Sequence, residues 1–334
     1  MVNKKIVFIV HKLEDASSRH RIFPVYEEMK RQGYDCRLSR VPNGFGGRVS
    51  LLSKLCGTDV LVLHRKFFKP IELFLINKLC KKIIYDFDDA LMFVEVRRNQ
   101  PLTGKYTEKF ARTACASDII VAGNAYLADH SKLNCRRVEV LTTPVDVKRY
   151  VPASGNAEKK EVVIGWIGSK GNLVYLRELE PVFKNLARKF PQVALSIICD
   201  DFLDIEGVKV YKRTWSEEDE IRFLQEIDIG IMPLTDDLWS RGKCGFKILE
   251  YFGVGVPAVA SPVGINSDII RDGVNGYLAG SLEEWERHLG TLIEDTALRE
   301  RMGKEGRKTA EGRYSMEEYL ARYSLFISEL MERA

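Results

Sequence analysis

Short apolar runs and longer mixed stretches alternate along this chain. "KIVFIV" is strand-like, and "RIFPVYEEMKRQG" spaces its apolar residues as a helix closed by Gly33. "DVLVLH" reads as a strand, "FFKPIELFLINKLCKK" as a helix, and "IIYDFDD" and "DIIVAGN" as two more strands. Strands alternating with helices pair in parallel, so the first half predicts a Rossmann-like, doubly wound sheet. "VLTTPVDVKRYVPASGNAEKKE" then breaks the pattern with prolines, small residues and charge, as a linker does.

After that break the alternation restarts. "VVIGWIG", "VALSIICD", "VKVYKRTW", "DIGIMPL" and "VPAVAS" are strands, and "GVNGYLA" is a turn and strand. "LVYLRELEPVFKNLARKF", "SEEDEIRFLQEI" and "GFKILEYFG" are helices, followed by helices near 282–294, 296–312 and 315–332. The expectation is two doubly wound α/β domains, residues 1–150 and 151–314. Ligands of such sheets gather at the carboxyl ends of strands, so the expected site is the cleft between the two. Neither half has the G-x-G-x-x-G dinucleotide fingerprint. "GWIGSKG" spaces Gly165, Gly168 and Gly171 differently, which argues against a dehydrogenase while leaving room for a phosphate against the backbone.

Composition narrows the class. With 334 residues, 45% hydrophobic and 29% charged, the chain can bury a sizeable core and is no disordered segment. "KKIVFIV" has too short an apolar run for a signal peptide, and no stretch approaches eighteen apolar residues, so neither a secretory leader nor a membrane span is expected. Seven cysteines stand singly without a CxxC pair and the five histidines are dispersed, so no metal is expected and reduced thiols in the cytoplasm are. Charge is uneven. Residues 1–150 hold 27 Lys+Arg against 16 Asp+Glu, net +11, and the remainder 24 against 31, net −7. A basic half suits a polyanion such as nucleic acid, an anionic membrane or a phosphorylated acceptor. No RNA or DNA module accompanies it, which disfavours nucleic acid.

Candidate chemistry clusters in "KCGFKILEYFG". A helix would place Lys243, Lys247 and Glu250 on one stripe. Two lysines at a helix N-terminus repel the dipole unless an anion sits between them, and a diphosphate would supply that anion. The Glu250 carboxylate suits a vicinal diol such as that of ribose. Spacing alone favours the alternative, an exposed charged face with a Lys–Glu pair worth a few tenths of a kcal/mol.

The longer run "DIGIMPLTDDLWSRGKCGFKILEYFGVGVPAVASPVGINSDIIRDGVNGYLA" changes that weighting. It resembles the C-terminal signature of GT-B glycosyltransferases of the family 4 (group 1) type. "SSRHRIFPVYEEMKRQGYDCRLSR" resembles that family's first helix, and "TTPVDVKRYVP" its interdomain segment. The resemblance implies transfer of a sugar from a nucleotide-diphosphate sugar to a glycan or lipid-linked acceptor. It also implies retention of anomeric configuration, no metal or other cofactor, and a place in cell-surface polysaccharide synthesis. In the family's E-x7-E pattern Glu250 is the second glutamate, and the first falls on Gly242, so the position that touches the donor sugar is missing. Lys243 and Lys247, with Arg241, are then implied on the diphosphate. Gly168, Ser169 and Lys170 offer N–H groups, a hydroxyl and a cation to the same phosphates, and Arg213 and Thr214 lie on the nucleobase side. The 315–334 helix is expected to return to the N-terminal domain.

The first half is implied to hold the acceptor. Ser17, Ser18 and Arg19 follow the first strand, where serine is a natural helix N-cap. Asp86, Asp88 and Asp89 crowd a strand's carboxyl end, which suits hydroxyl binding, proton transfer or a metal; acceptor binding is favoured, with Asp88 and Asp89 as the catalytic pair. Asn124 ends the next strand, as a cleft or turn residue. "HRKFFKPIELFLINKLCKK" joins basic and apolar residues: Phe67, Phe68, Phe74 and Leu75 are either core or an interfacial face on an anionic membrane, which would hold a cytoplasmic protein at the inner surface. The competing expectations are a nucleotide-sugar epimerase on the same fold and a non-catalytic sugar-nucleotide-binding protein.

Overall fold

The computed structural model describes residues 4–93, 104–153 and 161–332. Part of the expected linker, 154–160, lies outside them. The chain forms two compact units. The first is Met1–Pro144 with Asp237–Cys244 and Met316–Ala334, and the second is Val145–Asp236 with Gly245–Ser315.

The first unit is built on a parallel sheet of β1 (Lys5–Val10), β2 (Asp35–Arg40), β3 (Thr58–His64), β4 (Cys80–Phe87), β5 (Ile119–Ala122) and β6 (Val138–Val140), in spatial order β2-β1-β3-β4-β5-β6. Its helices are α1 (Phe23–Arg31), α2 (Phe45–Lys54), α3 (Pro70–Leu79), α4 (Gly104–Cys115) and α5 (Ala125–Lys132). The central strands are apolar on both faces because helices cover both faces. Leu61, Leu63, Tyr85, Phe87 and Phe110 pack on one side, and Ile6, Phe8, Val60, Val62 and Ile84 on the other. The second layer includes Tyr319, Tyr323, Phe326 and Ile327 of the C-terminal helix, so the chain's last element completes the first unit.

The second unit repeats the plan with β7 (Val162–Ile167), β8 (Val193–Cys199), β9 (Lys209–Thr214), β10 (Ile229–Met232), β11 (Ala258–Ala260) and β12 (Gly276–Leu278), in order β12-β11-β10-β7-β8-β9. Its helices are α6 (Leu173–Glu178), α7 (Glu180–Lys189), α8 (Glu220–Gln225), α9 (Phe246–Gly253), α10 (Asn266–Ile269), α11 (Leu282–Glu294) and α12 (Thr296–Arg313), and the chain ends in α13 (Met316–Glu332). The single helix expected over 173–190 is two, because Pro181 in the first turn of α7 supplies no N–H to continue the ladder from α6. Val145 and Tyr150, expected in the first half, pack in the core of the second. Each sheet reverses its strand order once, between β1 and β3 and between β7 and β10, and ligand crevices form at the carboxyl ends beside such points.

Candidate active site

In the second unit the loop after β7 meets the start of α9. Gly245 turns the chain at φ 65°, so the helix begins at Phe246 and Lys243, in extended conformation, precedes it. The stripe expected of Lys243, Lys247 and Glu250 is therefore only Lys247 and Glu250, because the left-handed glycine ends any helix on its N-terminal side. Asp237–Cys244 fold with the first unit, so Arg241 and Lys243 belong to it and not to the second unit, where they were expected. Lys247 lies in the first turn of α9, with its Nζ 5.2 Å from the centre of the Trp166 ring. Its stem runs against Gly168: a Cβ on that glycine would stand 2.6 Å from the indole and 3.0 Å from Lys247 Cε. Ser169 and Lys170 follow in a tight turn that Asp200 holds by accepting from the Lys170 N–H at 3.0 Å. The exposed Lys170 ammonium reaches Asp201 at 2.8 Å.

One turn further along α9, Glu250 is buried, its Oε1 3.5 Å from the Tyr150 hydroxyl. Tyr150 donates to Glu220, and Trp215 Nε1 donates to the other Glu220 oxygen at 2.7 Å. Burial, with carboxylates on two sides, pushes the Tyr150 phenol far above its usual range, so it remains a donor. Arg213 is held by Glu226 at 2.6 Å and lies over the Tyr211 and Phe223 rings, while Thr214 is exposed.

The first unit gathers a buried polar chain at the carboxyl ends of β1, β3 and β4. The Arg21 guanidinium makes a two-pronged pair with Asp86, Nε to Oδ1 and Nη2 to Oδ2, each 2.9 Å, and both side chains are fully buried. Burial by itself would raise the Asp86 carboxyl; the Arg21 charge outweighs it and, with the His64 hydrogen bond, holds it at about 2. His64 Nδ1 is 2.9 Å from Asp86 Oδ1, and since an ionised carboxylate only accepts, Nδ1 donates to it. His64 Nε2 is 2.9 Å from Ser17 Oγ, and the Ser17 hydroxyl donates to Asp88 Oδ2 at 2.6 Å. This Ser–His–Asp line is not a nucleophile, because the serine proton is committed to a second carboxylate. It positions Asp88. Arg65 approaches Asp88 at 3.5 Å and Asp89 at 2.5 Å. Burial opposes ionisation of Asp88, but the charges of Arg65 and Arg21 prevail and lower its pKa. Asp89 is pushed up, by burial and by the Asp88 charge, against the pull of Arg65 and Lys243.

One first-unit expectation changes. Ser17 does not cap the helix, which opens with a π-helical turn at Ser18–Ile22; instead the Asp15 carboxylate accepts from the Ser17 N–H at 3.1 Å. Ser18 is fully buried. Asn124 is both cap and clasp: its Oδ1 accepts from the Leu127 N–H at 2.9 Å, and its Nδ2 donates to the Arg241 and Lys243 carbonyls at 3.2 and 2.9 Å. Gly242, where the resemblance places a glutamate, has no space for one, since a Cβ there would stand 2.6 Å from Ala90 Cβ and 2.8 Å from Ala90 N. The residues that the sequence did not reveal are His64, Arg21, Arg65, Tyr150 and Glu220. A histidine closing the apolar run "DVLVLH" was the available signal for the first of them. Among the described residues no group of three His, Cys, Asp or Glu is arranged to hold a metal ion.

Two parallel doubly wound units are the architecture of the GT-B fold. The fold is shared with solved proteins of low identity. Sucrose-phosphate synthase from Thermosynechococcus elongatus aligns at a TM-score of 0.74 and 10% identity over 99% of this chain and 100% of its own. Anabaena HepE in complex with UDP and glucose aligns at 0.75 and 14% over 98% and 100%. A glycosyltransferase from Rickettsia africae aligns at 0.74 and 13% over 100% of both. Residues 200–309, which include α9 with Lys247 and Glu250, match the family model described as "Glycosyl transferases group 1". Residues 200–309 are thus similar to group 1 glycosyltransferases, and the chain as a whole has the GT-B fold. No curated protein matches its sequence.

Proposed function

We propose that the protein transfers a sugar from a nucleotide-diphosphate sugar to a hydroxyl of a glycan or lipid-linked acceptor, with retention and without a resident metal, in polysaccharide or glycan synthesis. The observation that carries this is Lys247 at the start of α9, packed on Gly168 within the segment that matches group 1. There the N-terminus of α9 and Lys247 supply positive charge for a leaving diphosphate, which needs stabilisation most in the transition state, and Gly168, Ser169 and Lys170 form the adjoining loop, with the Gly168 and Lys170 N–H groups held by the Ile198 carbonyl and Asp200. Glu250 takes the ribose hydroxyls, with Tyr150 and Glu220 behind it, and Arg213 and Thr214 stand on the nucleobase side. Arg241 and Lys243 are further candidates for the diphosphate.

On the acceptor side, Asp88 binds and orients the attacking hydroxyl, Asp89 assists, and Ser17, Ser18, Arg19, Asp86 and Asn124 frame them. The buried Arg21–Asp86–His64–Ser17 chain supports Asp88 by geometry, while the group 1 match of residues 200–309 bears on the donor side by kinship. The retaining course rests on the same kinship. HepE in complex with UDP and glucose, and the pneumococcal O-GlcNAc transferase GtfA in complex with UDP and GlcNAc (TM-score 0.64, 15% identity, 84% of this chain and 59% of that one), support a nucleotide donor.

The test is release of nucleoside diphosphate from a panel of nucleotide sugars with glycan and lipid-linked acceptors, followed by the anomeric signals of the product. Acceptor-dependent release that Asp88→Asn abolishes is the expected result. Turnover of free nucleotide sugar to an isomer would instead identify an epimerase, and tight binding without turnover a non-catalytic binder, the reading that Gly242 in place of an acid favours.

A further inference from the structure

Helix α3 turns an apolar stripe away from its own unit. Leu73 and Ile76 are buried against the sheet, at 5% and 0% exposure, whereas Ile71, Phe74 and Leu75 are exposed at 63%, 58% and 37%. These three positions, followed by Lys78, fall at i, i+3, i+4 and i+7, one face of a helix. The segment expected to be either core or interface is thus both. Phe68 joins the core at 5% exposure, Phe67 packs against it, and Phe74 and Leu75 do not.

The charge along this segment of the sequence is mostly positive, although Arg65 pairs with Asp88 and Asp89, Lys81 with Asp59 and Lys82 with Asp118. Residues 65–82 carry Arg65, Lys66, Lys69, Lys78, Lys81 and Lys82 against a single acid, Glu72. That acid is turned inward, pairing with Arg48 at 2.5 Å and accepting from the Lys69 N–H at 2.8 Å. The exposed charged residues of the helix and its cap are therefore Lys69 and Lys78, with the Lys78 ammonium 5.9 Å from the Phe74 ring centre.

We infer that the Ile71–Phe74–Leu75 face of α3 seats the protein on an anionic lipid surface. A second copy of this chain would bring the same lysines against one another, at a cost in repulsion. A bilayer with anionic headgroups offers both partners at once: acyl chains for the three apolar side chains and phosphate for Lys69 and Lys78. The depth is interfacial, since no described helix is long and apolar enough to cross a membrane. The surface lies wholly in the first unit and does not depend on the donor assignment, so either can fail alone.

The experiment is co-sedimentation of the full chain with phosphatidylcholine vesicles, with and without phosphatidylglycerol, at low and high salt. The chain should partition onto the anionic vesicles and leave them as salt rises, with little binding to phosphatidylcholine alone. Phe74→Ser should lower the partition coefficient about tenfold, as expected for one large apolar side chain kept in water. The double charge reversal Lys69→Glu, Lys78→Glu should lower it about thirtyfold or more. Both variants change exposed side chains, and unchanged melting curves establish that they fold. Equal partitioning onto both vesicle types, or wild-type partitioning in both variants, overturns the inference. So does a concentration-dependent dimer that the same substitutions dissolve, which would give the face to a second copy.

Discussion

Lys247 lays its stem along Gly168 and its ammonium over Trp166, so truncating it strips a cation from the loop end of β7. Lys247→Ala should weaken nucleoside-diphosphate binding by about ten- to a hundredfold, the range for a charge-assisted hydrogen bond, as read by isothermal titration, with the melting temperature little changed. On the acceptor side, Ser17→Ala removes the hydroxyl between His64 and Asp88. It should lower kcat about tenfold or more, a part of the roughly hundredfold or larger contribution of a well-positioned acid or base, and leave nucleotide affinity alone; a variant whose affinity falls equally would refute the positioning role. Asp86 gives a pH signature with a definite sign. Its folded value, about 2, lies below the ordinary 3.8, so its contribution is complete above about pH 4 and disappears as pH falls through 2. That contribution is of order 2 kcal/mol. Urea midpoints measured from pH 5 down to pH 2 should fall along that curve, and Asp86→Asn, while less stable overall, should lack that part of the slope.

At the scale of elements, the Gly242–Gly245 turn decides which side chains α9 can present. Gly245→Ala would force a left-handed residue to carry a Cβ standing 2.4 Å from Ile269 Cδ1, and Gly242→Glu would drive a side chain into Ala90. Each should cost about 1–3 kcal/mol, as overpacking and strain do, seen as a lowered denaturation midpoint; a neutral Gly242→Glu would mean the missing glutamate is absent for another reason. The long apolar strands, β1, β3, β4, β7 and β8, were legible in the sequence because helices cover both faces and the pattern needs no alternation. β2, "DCRLSR", was not: it is an edge strand that mixes polar and apolar residues, so nothing separates it from a loop. Lys247 and Glu250 were visible through their setting in a long ordered motif. Arg21 and His64 were not, since their meaning lies in contacts to Asp86 from residues 65 and 22 positions away. The stripe that included Lys243 was misread because spacing does not disclose a left-handed glycine.

For the whole molecule, uneven charge and doubled architecture now have separate explanations. The doubled sheet gives each unit its own crevice at a reversal of strand order. The net +11 of residues 1–150 accompanies the proposed acceptor role and a cationic helix face, whereas the −7 remainder places Lys247 at a helix start. The most direct measurement of the central claim is isothermal titration of the full chain with UDP, GDP, ADP and dTDP, repeated on Lys247→Ala and Glu250→Ala. Saturable one-to-one binding of at least one of the four, weakened about tenfold or more in both variants, is the predicted result. No binding of any of them, or an affinity that neither substitution alters, would contradict it.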